Sequence, residues 1–229
     1  MRTPQKIVLA LFAVAAAVNV VASGTGNHVA DAITKPMLMP LLALLVWLAV
    51  PAPRDRKLFI AGQLAAAAGD IALIFDGNVA FLIGMVLFLG CHVCYIVTFA
   101  RADAFDRLRA RPLVPAAYAV VFVGALAWLW GGLGGLRVPI AVYALALTTM
   151  AAASATFGAR IGFGGALFML SDMLIAVDIA HPDAIGGPPI WVMLTYVAGQ
   201  GLLATGWLKI LSNQLPSSET KLQTVTLPA

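Results

Sequence analysis

Two aspartates stand where a membrane helix least tolerates them. Asp70 lies in AAAAGDIALIF, residues 65–75, and Asp172 lies in GFGGALFMLSDMLIAVD, residues 162–178. A carboxylate deep in hydrocarbon is costly unless it is paired, hydrated or protonated. Other apolar runs carry polar groups as well. FLIGMVLFLGCHVCYIVTF holds His92 and Tyr95, TYVAGQG holds Tyr196 and Gln200, and Ser171 directly precedes Asp172. Gln63 lies seven residues before Asp70, on the same helical face. A polar clamp between helices is worth only about 1 kcal/mol, and Ser, Thr or Asn would serve for it. Two aspartates, a histidine and two tyrosines exceed that need. Two neighbouring carboxylates in a cavity of low dielectric seldom both ionise, so they offer an acid and an anion together. Two kinds of chemistry fit such a pair. One is acid–base hydrolysis of a membrane-embedded substrate. The other is proton-coupled transport, in which the same carboxylates relay protons.

The elements that must position these groups follow from composition. Of 229 residues, 62% are hydrophobic and 10% are charged, and mean hydropathy is +0.96. A soluble domain of that balance has too little polar surface, so the expected fold is an all-α polytopic membrane bundle. Eight apolar segments are long enough to span about 30 Å of hydrocarbon: 7–23, 36–53, 58–76, 79–100, 112–130, 137–157, 162–180 and 187–211. Their connections are short, so neighbours should run antiparallel in a single helical domain over 1–211. Residues 212–229 form a polar tail with the composition of a disordered segment.

Lysine and arginine set the orientation. With the N-terminus inside, one side holds Arg2, Lys6, Arg54, Arg56, Lys57, Arg101, Arg107, Arg109, Arg111, Arg160, Lys209 and Lys221. The other side holds Lys35 and Arg137. Both termini are therefore expected in the cytoplasm, with the protein multi-pass in a cell membrane of the bacterial inner-membrane type. Arg2, Lys6, an apolar run and VAS before Gly24 also have the form of a signal peptide. The length of the run, and Asn19 within it, favour a retained helix. Net charge is +4, but the basic residues lie scattered between apolar runs, which excludes a nucleic-acid surface. Cys91 and Cys94 lie within an apolar run, the two further good ligands that a zinc site would need are not evident, and the pair reads as packing residues.

Depth and face agree with a shared site. At 1.5 Å per residue, Asp70 lies about 18 Å and Asp172 about 15 Å from the cytoplasmic ends of their segments, near the midplane. Gly84, Phe88, His92 and Tyr95 form one helical stripe, and Gly165, Phe168 and Asp172 form another. Each stripe mixes small, aromatic and ionisable residues, which suits a cavity wall.

These motifs also carry a resemblance. TKP at 34–36, GD at 69–70, Gly84 with Phe88, His92 and Tyr95, the G..F..SD pattern ending at Asp172, and Tyr196 with Gln200 occur in this order. Over roughly 34–201 the chain resembles the YhhN family of eight-span membrane proteins, whose characterised members are lysoplasmalogenases. The resemblance implies hydrolysis of the vinyl ether bond of a lysophospholipid, giving a fatty aldehyde and a glycerophospho-headgroup. That reaction needs an acid able to protonate carbon, a negative charge beside the resulting cation, and a placed water. On this reading Asp70 and Asp172 supply acid and anion, with neither metal nor organic cofactor. His92 would orient one of them or share its proton. Tyr95, Ser171, Tyr196 and Gln200 would line the cavity, and Lys35, at the mouth of the second segment, would bind the substrate phosphate.

Overall fold

A computed structural model of the chain describes residues 3–49, 54–182, 184–185 and 187–213. Nine α-helices follow in order among them: α1 (Thr3–Thr25), α2 (His28–Ala49), α3 (Arg54–Ala72), α4 (Asn78–Ala100), α5 (Ala104–Arg109), α6 (Leu113–Leu129), α7 (Arg137–Ser154), α8 (Ala159–Ala180) and α9 (Pro188–Asn213). There is no strand among the described residues. Five stretches are long and apolar enough to cross a membrane: Thr3–Thr25, His28–Leu48, Asn78–Ala100, Gly134–Phe157 and Ala159–Ala180. α6 is apolar but has 17 residues. α3 is diluted by Arg56, Lys57, Gln63 and Asp70, and α9 by Thr195, Gln200 and Thr205. Large apolar side chains such as Val14, Val86, Val120 and Leu145 stand exposed on the outside. That is the surface of a multi-pass membrane protein, whose solvent is lipid.

Small residues let the helices that carry the site approach closely. A Cβ at Gly69 would lie 2.7 Å from the Phe88 ring, so α3 and α4 can meet only where that carbon is absent. On the other side of the bundle, a Cβ at Gly199 would lie 2.7 Å from the backbone nitrogen of Phe168, and one at Gly164 would lie 2.8 Å from that of Leu203. α8 and α9 therefore pack backbone to backbone, as small residues allow in membranes. The centre of the core is aromatic, with Phe59 stacked on Tyr95 at 4.5 Å and on Trp207 at 5.9 Å.

Several boundaries differ from those expected. The second segment begins at His28, not at 36, and runs unbroken through Pro36 and Pro40. Its start is set by Gly26, whose φ of 68° reverses the chain, and by Asn27. The Asn27 Oδ1 accepts the Ala30 N–H at 3.1 Å, as an N-cap does. Proline in a membrane helix is tolerated where neighbouring helices cover the carbonyls it frees. Lys35 thus sits two turns inside α2 rather than at its mouth. The third segment ends at Ala72, not 76, which puts Asp70 in the last turn of α3 rather than at mid-span. The connection after α4 folds into α5, anchored by buried Ala104 and Leu108. α9 extends to Asn213. Arg2, residues 50–53, Lys221 and the tail from 214 lie outside the described residues.

Candidate active site

Asp70, on the last turn of α3, and Asp172, in the C-terminal half of α8, line one cavity of about 120 Å³. Each carboxylate is held by a phenol. Tyr196, from α9, donates to Asp70 Oδ2 at 2.8 Å. Tyr143, from α7, donates to Asp172 Oδ2 at 2.5 Å. Asp70 and Tyr196 are buried, each 3% exposed. Behind Tyr143 stands His92, wholly buried in α4, with its Nε2 3.0 Å from the phenol oxygen and 3.5 Å from Asp172 Oδ2. The phenol proton is committed to the carboxylate, so His92 Nε2–H donates to the phenol oxygen. The result is a chain from His92 through Tyr143 to Asp172, in which each bond polarises the next. Between the two carboxylates runs an aromatic floor. Phe88 meets Tyr196 edge-on at 5.9 Å, Phe168 lies 5.6 Å from Tyr196, and His92 lies 4.9 Å from Phe168. This packing fixes the spacing of α4, α8 and α9 at the site.

The expected site residues divide into two sets. Lys35, Ser171 and Tyr196 line the cavity with the aspartates. Ser171 donates to the Val192 carbonyl at 3.1 Å, tying α8 to α9 at the cavity wall. Tyr95 and Gln200 are fully buried and bond each other at 2.9 Å, outside the cavity lining. Cys91 is buried in the core, as a packing residue would be. Tyr143 was not among the expected residues. Its signal was present in one stripe of α7, where Ile140, Tyr143, Leu147 and Met150 recur at helical spacing with one phenol among apolar neighbours.

A second cavity of about 320 Å³ adjoins the first and shares Lys35, Ile175, Val192 and Met193 with it. Its other walls carry Ser23, Asn27, His28, Asp31 and Asp178. Asp31 was also absent from the sequence reading, because residues 28–35 were expected to precede the helix. It ion-pairs with Lys35 at 3.3 Å. Its Oδ1 accepts from Asn19 at 2.9 Å and from Ser23 at 2.9 Å, both on α1. These bonds hold Asp31, and Asp31 holds the lysine between the two cavities.

Residues 30–207 match the YhhN family, which covers every side chain of this arrangement except Asn19 and Ser23 on α1 and Asn27 and His28 at the start of α2. The chain belongs to the YhhN family. It is 30% identical over 196 residues to a lysoplasmalogenase of Mycobacterium bovis, covering 80% of this chain and 72% of that protein. It is 31% identical over 172 residues to the lysoplasmalogenase TMEM86B of Sus scrofa, covering 72% and 71%. The human lysoplasmalogenase TMEM86B is 28% identical over 193 residues, covering 82% and 78%. No solved structure matches the chain. For a YhhN protein, the arrangement offers two tyrosine-held carboxylates at one apolar-walled cavity and a cation at its polar edge.

Proposed function

We propose that this YhhN protein is a lysoplasmalogenase that cleaves the vinyl ether bond of lysophospholipids by carboxylate acid–base catalysis. The observation that carries the reading is that Asp70 and Asp172 face the same cavity, each held by a tyrosine from a further helix. The names of its relatives support the substrate class. The lysolipid lies with its headgroup in the polar cavity, its phosphate on Lys35, and its vinyl ether between the aspartates.

The first step protonates the β carbon of the vinyl ether and leaves an oxocarbenium ion. Asp70, with the single donor Tyr196, takes the acid's part. Asp172, supported by Tyr143 with His92 behind it, takes the part of the anion beside the developing cation. Water then adds to the cationic carbon and loses its proton to the Asp70 carboxylate. The hemiacetal collapses to a fatty aldehyde and a glycerophospho-headgroup, and the proton on Asp70 is restored. Ser171 steadies the cavity wall. Tyr95 and Gln200 support the site from the core.

We place the protein in a cell membrane of the bacterial inner-membrane type with eight crossings, so that α3, α6 and α9 span with the five more apolar helices. Lys6, Lys57, Arg101, Arg160 and Lys209 then share the cytoplasmic side with both termini, and Arg137 lies on the other. Purified in detergent, the protein should release aldehyde from lysoplasmenylethanolamine with no ion gradient. A proton-coupled transporter would release none and would instead show substrate flux in proteoliposomes.

A further inference from the structure

Helix α6 is held less tightly than its neighbours. Leu129 is its one buried residue, and Val120, Val121 and Val123 are exposed. Between α6, α7 and α8 lies an almost wholly apolar cavity of about 290 Å³. Tyr143 and Asp172 line both this cavity and the one shared with Asp70. The two spaces therefore meet at the carboxylate. The α6 cavity also reaches the outside of the bundle, because Val121 and Leu170 line it and are 49% and 45% exposed.

We propose that this cavity is the binding site for the long hydrocarbon chain of the lysolipid, which slides in from the bilayer between α6 and α8. The identity of the chain rests on the lysoplasmalogenase reading. Three observations point the same way. The cavity between the aspartates, about 120 Å³, is of the size that holds a small ring and cannot house a fatty chain. The polar cavity at Lys35 and Asp31 lies on one side of it and suits the headgroup. The carbon that bears the chain must leave the aspartates on another side, and the α6 cavity opens there beside Asp172 with Phe122, Leu126 and Leu147 on its walls. Apolar surface of this kind binds an alkyl chain in proportion to the methylenes it covers.

The test fills the cavity and asks what happens to chain length. Ala125→Phe projects a ring from α6 into the space, and Ala144→Phe does so from the facing wall of α7. Val123→Phe, on the lipid side of α6, is the control. Displacing two methylenes should lower the ratio of long-chain to short-chain kcat/KM about tenfold in the first two variants and leave it unchanged in the control. An unchanged ratio in the cavity variants, or an equal fall in the control, overturns the proposal. A second measurement needs no hydrolysis and no variant. A saturated ether lysolipid with a photoreactive group at its tail end is cross-linked to wild-type protein in detergent, and the adducts are mapped by mass spectrometry. Adducts on Leu126 and Leu147 support the site, even if the protein releases no aldehyde, in which case only the hydrolase reading falls. Adducts on Val120 and Val123 instead mean general contact with lipid and sink the proposal.

Discussion

Removing the hydroxyl of Tyr143 tests the relay without disturbing the packing. Tyr143→Phe keeps the ring, which meets His92 edge-on at 5.1 Å, and deletes the oxygen that joins Asp172 to His92. A hydrogen bond to a charged acceptor is worth about 1.5–3 kcal/mol. If that bond steadies the anion most at the transition state, its full loss slows kcat by about 10- to 150-fold. Part of the loss is recoverable. His92 Nε2 already stands 3.5 Å from Asp172 Oδ2, and a small shift brings it into direct contact. The lower half of the range, about 10- to 40-fold, is therefore expected, with KM nearly unchanged because the hydroxyl is turned to the carboxylate. Aldehyde release coupled to an aldehyde dehydrogenase gives both constants. His92→Phe and the double variant complete the cycle, and their effects should not add, since both groups act on one oxygen. A kcat within about twofold of wild type, a rise in KM alone, or additive losses would refute the relay.

Further predictions follow from the same contacts. Lys35→Met should raise KM about tenfold or more with little change in kcat, because a charge-assisted phosphate contact is lost, and Lys35→Arg should restore part of it; substrate titration of the two variants checks this. Tyr95→Phe leaves Gln200 Oε1 without its donor at 2.9 Å, so thermal melting should show a loss of about 1–3 kcal/mol, while kcat changes little. Gly199→Ala drives a carbon into the Phe168 backbone and should cost about 1–3 kcal/mol in the same assay. In heavy water, the aldehyde should carry one deuteron on the carbon next to the carbonyl, seen by mass spectrometry after immediate reduction. Its absence would remove carbon protonation from the mechanism.

Much of this arrangement was legible in the sequence, because membrane helices make polar residues conspicuous. Asp70, Asp172 and His92 stand out against Ala, Leu and Phe, and their helical stripes already put them on inward faces. What was hidden came from two physical causes. The second segment was expected to begin only at 36, so Asp31, three residues into the true helix, fell outside it. The capping Asn27 after Gly26 was the local signal for the true start. Tyr143 was hidden for the opposite reason. A lone tyrosine in a long apolar helix is ordinary packing until the fold brings Asp172 and His92 to its hydroxyl, 29 and 51 residues away in the chain. Tyr95 and Gln200 share inward faces with the site, but depth along the helix separates lining from core, and periodicity carries no depth.

The central claim is that Asp70 and Asp172 together break a vinyl ether. The most direct measurement is aldehyde release from lysoplasmenylethanolamine by purified wild type, Asp70→Asn and Asp172→Asn side by side in detergent, with thermal melting to show that all three are folded. Release by wild type, with each folded variant slower by about 100-fold or more, is the result expected when an acid–base or charge-stabilising group is removed. Folded variants that keep wild-type rates would contradict the claim and leave the aspartates as a clamp between helices.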